Sequence, residues 1–266
     1  MGKIFFYSLM AAWAAVGVVP MQAQTGSDFL KAHEKTDCTI PFDVNGQGTE
    51  YKVNWGMDAA WNWDYNIRRG VNWIGKEHLS IGRVAYQPTE LVKDNGDGTY
   101  ELTSSQKKAL KSRCDNIKNL TGVTMINFTA DQEAYLDEDH PEYRTNYLGN
   151  WYEWYKCLKA SVKYAQELGM TVYSVSPFNE PDYGDGYTWG WLEGNKSDFL
   201  QMCKWIREDS FFDGIRISGG NTLNCDQALP WYNELKAYLD EGNTHQLAGS
   251  FDNYANFFTQ VRADGK

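Results

Sequence analysis

The chain has 266 residues, with 25 Lys and Arg against 35 Asp and Glu and a formal net charge of -10. That acidic excess argues against bulk electrostatic attraction to nucleic acid or an anionic membrane surface and favours a neutral ligand. The 11 Trp, 17 Tyr and 12 Phe supply core volume first, and flat apolar faces that stack on sugar rings second.

Residues 1–23 read as a secretory signal: Lys3 starts it, 4–19 are apolar, and Ala23 closes it as a small residue. A membrane anchor is the alternative, but the apolar run is short for a span and no second one follows. The reading is therefore export, to the periplasm or the exterior. Residues 24–50 form a polar lead-in, with Asn45-Gly46-Gln47-Gly48 as the tip of a candidate hairpin. Cys38, Cys114, Cys157, Cys203 and Cys225 show no Cys-x-x-Cys spacing and are assigned mainly to the core, with one disulfide pair left open. His33, His78, His140 and His245 form no zinc-like cluster, and nothing in the sequence calls for a metal or cofactor.

From residue 51 to 266 strand and helix patterns alternate, and this range is read as one domain. Val53-Asn54-Trp55 predicts a strand, Ile67, Val71 and Ile74 a helix face, and residues 79–84 a second strand. Residues 94–98 form an Asp/Gly turn whose acidic groups are not spaced as calcium ligands. Thr103 and Gln106 make a capping box before a helix with Ala109, Leu110, Cys114, Ile117 and Leu120 on one side. A strand at 123–128 and a polar surface loop at 129–150 follow. Trp151, Trp154, Tyr155, Leu158, Val162, Ala165 and Leu168 then form the clearest apolar stripe in the chain, stopped by Gly169.

That helix leads into Thr-Val-Tyr-Ser-Val-Ser-Pro-Phe-Asn-Glu-Pro-Asp at 171–182. A β-branched, alternating strand ends abruptly at Pro181, which disfavours helix at the residue before it, so Asn179 and Glu180 are delivered to the strand's carboxyl end. An aromatic, glycine-rich loop, a helix through Phe199, Cys203 and Ile206, a strand at 214–218 and a helix through Leu229, Tyr232 and Leu235 come next. A sixth strand is expected at 246–251, with a last helix to follow.

Six strand-helix units without a Gly-x-Gly-x-x-Gly turn, with polar or aromatic residues after several strands, favour an α/β TIM (β/α)₈ barrel over a doubly wound sheet. A barrel has eight units, so the sequence reads as a barrel with about six of eight βα units, shortened at the carboxyl end. Strand ends converge on one mouth in such a barrel. They bring Asp58 and Trp61, Arg83 and Tyr86, Asp131, Asn179 and Glu180, Asn221, and Asp252 and Tyr254 together, a set suited to an uncharged, polyhydroxylated ligand. Trp61, Tyr183, Trp189 and Trp191 divide evenly between sugar platforms and loop packing. Asp58, Asp131, Asn221 and Asp252, taken singly, are more often loop caps.

With Ser176-Pro177-Phe178-Asn179-Glu180-Pro181 at the fourth strand and Ile81-Gly82-Arg83-Val84 at the second, residues 53–258 resemble a clan A glycoside hydrolase, similar to families 5 and 30. The resemblance implies that Glu180 is the general acid/base, that Asn179 contacts a sugar 2-hydroxyl and that Arg83 steadies the nucleophile. It also implies a strand-six His-x-Tyr, of which Asp252-Asn253-Tyr254 supplies only the tyrosine. The clan's nucleophile is a glutamate at the seventh strand, expected beyond Lys266. Retention needs two carboxylates about 5–5.5 Å apart, one protonated and one ionised. The leading expectation is an exported retaining glycoside hydrolase acting on a polysaccharide or oligosaccharide, with Asp58, Trp61, Tyr183, Trp189, Asn221 and Tyr254 as substrate contacts. A catalytically inactive glycan-binding barrel is the alternative.

Overall fold

The computed structural model describes residues 55–60, 64–88, 90–130, 151–182 and 196–266, with only the backbone of Gln246. The signal, the lead-in, Trp61, Asp131, Tyr183, Trp189 and Trp191 lie outside these residues. The described chain belongs to one compact unit, Val53–Lys266. Its main sheet comprises β1 (Trp55–Asp58), β2 (Leu79–Tyr86), β5 (Met125–Ala130), β6 (Thr171–Val175), β7 (Arg216–Asn224) and β8 (Glu241–Ala248). These six strands lie in sequence order, and every neighbouring pair is parallel. The helices are α1 (Asp64–Ile74), α2 (Ser104–Thr121), α3 (Trp151–Glu167), α4 (Lys196–Glu208), α5 (Cys225–Leu235) and α6 (Phe251–Ala263). A doubly wound sheet reverses strand order at a switch point, and this one does not. The architecture is therefore a singly wound α/β barrel of six βα units.

Local chemistry explains most boundaries. The capping box at α2 is present in both directions: Gln106 N donates to Thr103 Oγ1 at 3.2 Å and Thr103 N to Gln106 Oε1 at 3.0 Å. The Asp/Gly turn closes a two-stranded hairpin, β3 (Lys93–Asp94) and β4 (Tyr100–Glu101). Helices pack on the outer face of the sheet through Leu110, Ile117, Trp154, Leu158, Phe199, Ile206 and Trp231, all buried. Two glycines make that approach possible. A Cβ on Gly82 would lie 2.8 Å from Ile117 of α2, and one on Gly242 would lie 2.5 Å from Val261 of α6. Cys114, Cys157, Cys203 and Cys225 are buried free thiols, as a core role requires.

Three elements differ from expectation, all at strand ends. β5 runs to Ala130, so Thr129 belongs to the strand and not to the following loop. β7 continues to Asn224, six residues past its expected end. β8 starts at Glu241, five residues before its expected start, and ends at Ala248. Its opening run, Glu-Gly-Asn-Thr-His, is polar and β-poor because it lies at the sheet edge with a single strand partner, β7.

Candidate active site

Residues 176–182 follow β6 and are tied down at almost every position. Ser176 N donates to Phe128 O at 2.7 Å. Pro177 O accepts from Tyr86 Oη at 2.8 Å and from Trp154 Nε1 at 3.0 Å, and Trp154 Nε1 also reaches Tyr86 Oη. Tyr86 stacks on Phe128 with ring centroids 5.7 Å apart. Burial holds its phenol well above the usual range, so it remains a neutral donor. Phe178 O accepts from Ser176 Oγ at 3.1 Å and from Asn221 Nδ2 at 2.7 Å.

Arg83 lies across the mouth from that turn. Strand register pairs Asp58 with Arg83 and places Thr129 two pairs beyond it. The guanidinium donates through Nη1 to Asp58 Oδ2 at 3.0 Å, and through Nη2 to Asn179 Oδ1 at 2.5 Å and Thr129 Oγ1 at 3.4 Å. Asp58 also accepts from Ala60 N at 2.7 Å. Arg83 therefore fixes the amide orientation of Asn179, with its Oδ1 toward the cation. Asn179 remains 7% exposed.

Glu180 sits at φ 48, a left-handed conformation seldom adopted by glutamate and held only where surroundings over-determine it. Its N–H donates to Asn221 O at 2.8 Å. Asn221 is itself left-handed, at φ 55, where the β7–β8 register shifts. Such a bulge re-aims the strand end. The Glu180 carboxylate meets His245 of β8, with Oε1 2.6 Å from Nδ1 and both side chains under one-fifth exposed. Two residues on, Asp182 accepts from Leu223 N at 2.7 Å and Asn224 N at 3.0 Å. Its burial, with repulsion from Glu180, raises its pKa despite those two bonds.

The structure thus brings Asp58, Arg83, Asn179, Glu180 and Asn221 to one end of the sheet, and adds Thr129, Asp182 and His245. Asn221 is wholly buried, and its amide supports Thr129 and Phe178. Its Nδ2 is spent on those two bonds, whereas its Oδ1 is buried without a partner among the described residues. Tyr254 is not at a strand end. It lies on α6 beside Phe251 and Phe258, because β8 ends earlier than expected and Ser250 already caps α6, accepting from Asn253 N at 3.2 Å. Asp252 lies in the first turn of the same helix. The histidine that the structure places at the sixth strand is His245, on β8 and beside Glu180. Its signal in the sequence was a polar run through Thr244-His245-Gln246 just before the apolar pair Leu247-Ala248.

Among the described residues no group of three or more His, Cys, Asp or Glu side chains could hold a metal ion, and no helix is long and apolar enough to cross a membrane. What the arrangement offers is a partly enclosed carboxyl group addressed by an imidazole, beside an oriented amide and an arginine. That is a set for proton transfer to and from a polar, uncharged ligand.

No family profile matches the chain, and no curated protein does. Among solved structures it is similar to an endo-β1,6-glucanase, at 12% identity and TM-score 0.49, over 78% of this chain and 55% of that one. It is also similar to the family 30 subfamily 8 xylanase Xyn30A from Clostridium acetobutylicum, at 16% identity and TM-score 0.46, over 76% and 52%. The catalytic domain of family 30 xylanase C from Talaromyces cellulolyticus follows, at 15% identity and TM-score 0.42, over 73% and 53%. The chain spans about half the length of these structures.

Proposed function

We propose that the chain carries the acid/base half of a retaining glycoside hydrolase, exported and acting on an oligosaccharide or polysaccharide. The observation that carries this reading is the Glu180 carboxyl group, 2.6 Å from His245 Nδ1, on a turn pinned by buried neutral donors, with Asn179 oriented beside it by Arg83. In this reading protonated Glu180 donates to the departing glycosidic oxygen. The resulting carboxylate then takes a proton from the water that hydrolyses the glycosyl intermediate. His245 fixes the Glu180 rotamer, and Asn179 lies beside it to contact a ring hydroxyl.

The attacking carboxylate is proposed to come from a seventh strand beyond residue 266. Asp58 is committed to Arg83 and Ala60, and Asp182 to two backbone amides. Neither is disposed to attack an anomeric carbon. That same commitment favours the second reading, a barrel that binds glycans without cleaving them.

In the full-length protein, Glu180→Gln is expected to lower turnover of glycosides with poor leaving groups by about 10²–10⁴-fold. Activated aryl glycosides should still form the intermediate, with azide restoring its breakdown. Undiminished hydrolysis of an unactivated substrate would sink the assignment. Calorimetric binding of oligosaccharides by a wild-type protein that cleaves none would establish the second reading.

A further inference from the structure

The carboxylate two residues beyond Glu180 has a geometry that the chemistry above does not use. Asp182 Oδ1 accepts from Leu223 N and Oδ2 from Asn224 N, at 2.7 and 3.0 Å. One side chain thus takes two consecutive amides at the end of β7, which a regular neighbouring strand does not do because successive N–H groups of a strand point to opposite sides. Only a carboxylate has two acceptor atoms for this; an asparagine would present a donor to one of the amides.

The bonded partners lie where the turn and the imidazole meet. Upstream, Glu180 N is held by Asn221 O. Between the two attachments lies Thr222, which pairs with Thr244 of β8, hydroxyl to hydroxyl, at 2.7 Å. His245 is the next residue. The turn carrying Glu180 and the strand carrying His245 are therefore both registered on the same four residues of β7, 221–224. Asn224 also caps α5 through its side chain, accepting from Asp226 N at 2.8 Å, so this end of β7 is itself fixed. Among the described residues, backbone amides compensate the charge of Asp182, and its raised pKa marks a carboxylate kept at a cost to folding.

We infer that Asp182 is a positioning residue for Glu180: its carboxylate clamps the Glu180 turn onto β7 and sets where the Glu180 carboxyl group meets His245. The inference rests on the glycosidase reading for its kinetic arm only. Releasing the clamp frees a residue at positive φ to relax toward ordinary conformations, which moves the carboxyl group away from its partner.

The test compares wild type, Asp182→Asn and Glu180→Gln in the full-length protein. Asp182→Asn is expected to fold and to lose about 10–100-fold in kcat on an unactivated oligosaccharide. On an aryl glycoside whose leaving group needs no acid, the loss should be under about threefold. Its His245 ring ¹⁵N resonances should move toward those of Glu180→Gln. Equal losses on both substrates, no loss, or unmoved His245 resonances would overturn the clamp. A wild type inert toward both substrates would instead count against the glycosidase reading, and the His245 resonances would then decide the clamp alone. Amide exchange in the wild type decides it without any variant: Leu223 and Asn224 should be protected, and fast exchange at both would overturn it.

Discussion

Asp182 and Asp209 are both substantially buried aspartates, yet their surroundings push them in opposite directions. Asp209 lies on the outer layer, at the turn after α4. Burial alone would raise its pKa, but Lys159 Nζ at 2.5 Å, the Tyr155 hydroxyl and Phe211 N together hold it below the usual range. Asp182 lies at the strand-end mouth, where its partners among the described residues are backbone amides, and burial wins. A carboxylate neutralised by a cation is what a fold uses to fasten its surface. A carboxylate kept in a buried site without one is a cost that geometry must repay elsewhere. The outer cluster of Tyr155, Lys159 and Asp209 is therefore read as structure, and the mouth as chemistry.

The largest effect that tests this contrast sits between the two regions. Trp154 is fully buried on α3, packs edge-on against Phe178 at 5.0 Å and donates to Pro177 O. Trp154→Ala should cost about 3–5 kcal/mol in urea unfolding and also loosen the Glu180 turn. A smaller loss would mean that core packing does not brace the mouth.

Next comes Asp209→Ala, expected to lower stability by about 1–3 kcal/mol by stranding Lys159 and Phe211 N, while leaving the ratio of activities on activated and unactivated glycosides unchanged. A shift in that ratio would break the division between structural and chemical carboxylates.

Stability against pH should then separate the two groups by sign. Asp209 has a depressed folded pKa, so its contribution is present above the unfolded value and is lost as pH falls through the folded one. Asp182 has a raised folded pKa, so the native state binds the extra proton and stability declines as pH rises from the unfolded value to the folded one. Acid-limb unfolding curves of Asp209→Asn should be flatter than wild type, whereas those of Asp182→Asn should be steeper. The same change in both would contradict the assignment of causes.

The smallest effect is at the β7–β8 ladder. Thr222→Val removes one hydroxyl of the pair with Thr244 and should cost about 1 kcal/mol, with a measurable shift of the neighbouring His245 resonances if β7 sets its position.

Much of this was legible in the residues themselves. The capping box of Thr103 and Gln106, the α3 stripe stopped by Gly169, and the Pro-Phe-Asn-Glu-Pro strand end are local signals, and local sterics and hydrogen bonding produced the corresponding elements. The order of units also followed from periodicity, which is enough to distinguish single from double winding once no phosphate-binding turn appears. Arg83 and Asp58 could be placed at the same mouth because each lies in the carboxyl-terminal half of its strand.

Tertiary structure decided the remainder, for a common reason: it concerns strand ends where polar side chains replace apolar ones. Glu241-Gly242-Asn243-Thr244-His245 lacks strand propensity and becomes a strand because β7 supplies its partner and Gly242 admits α6. Thr129, Asn221 and Asp182 look like loop residues in the sequence, since their value lies in bonds to chain 40 to 90 residues away. The sequence singled out Glu180 at its strand end. Only the folded chain supplied His245 against it, buried Asn221 beneath the Glu180 turn, placed Tyr254 on a helix and showed what holds Glu180 in place.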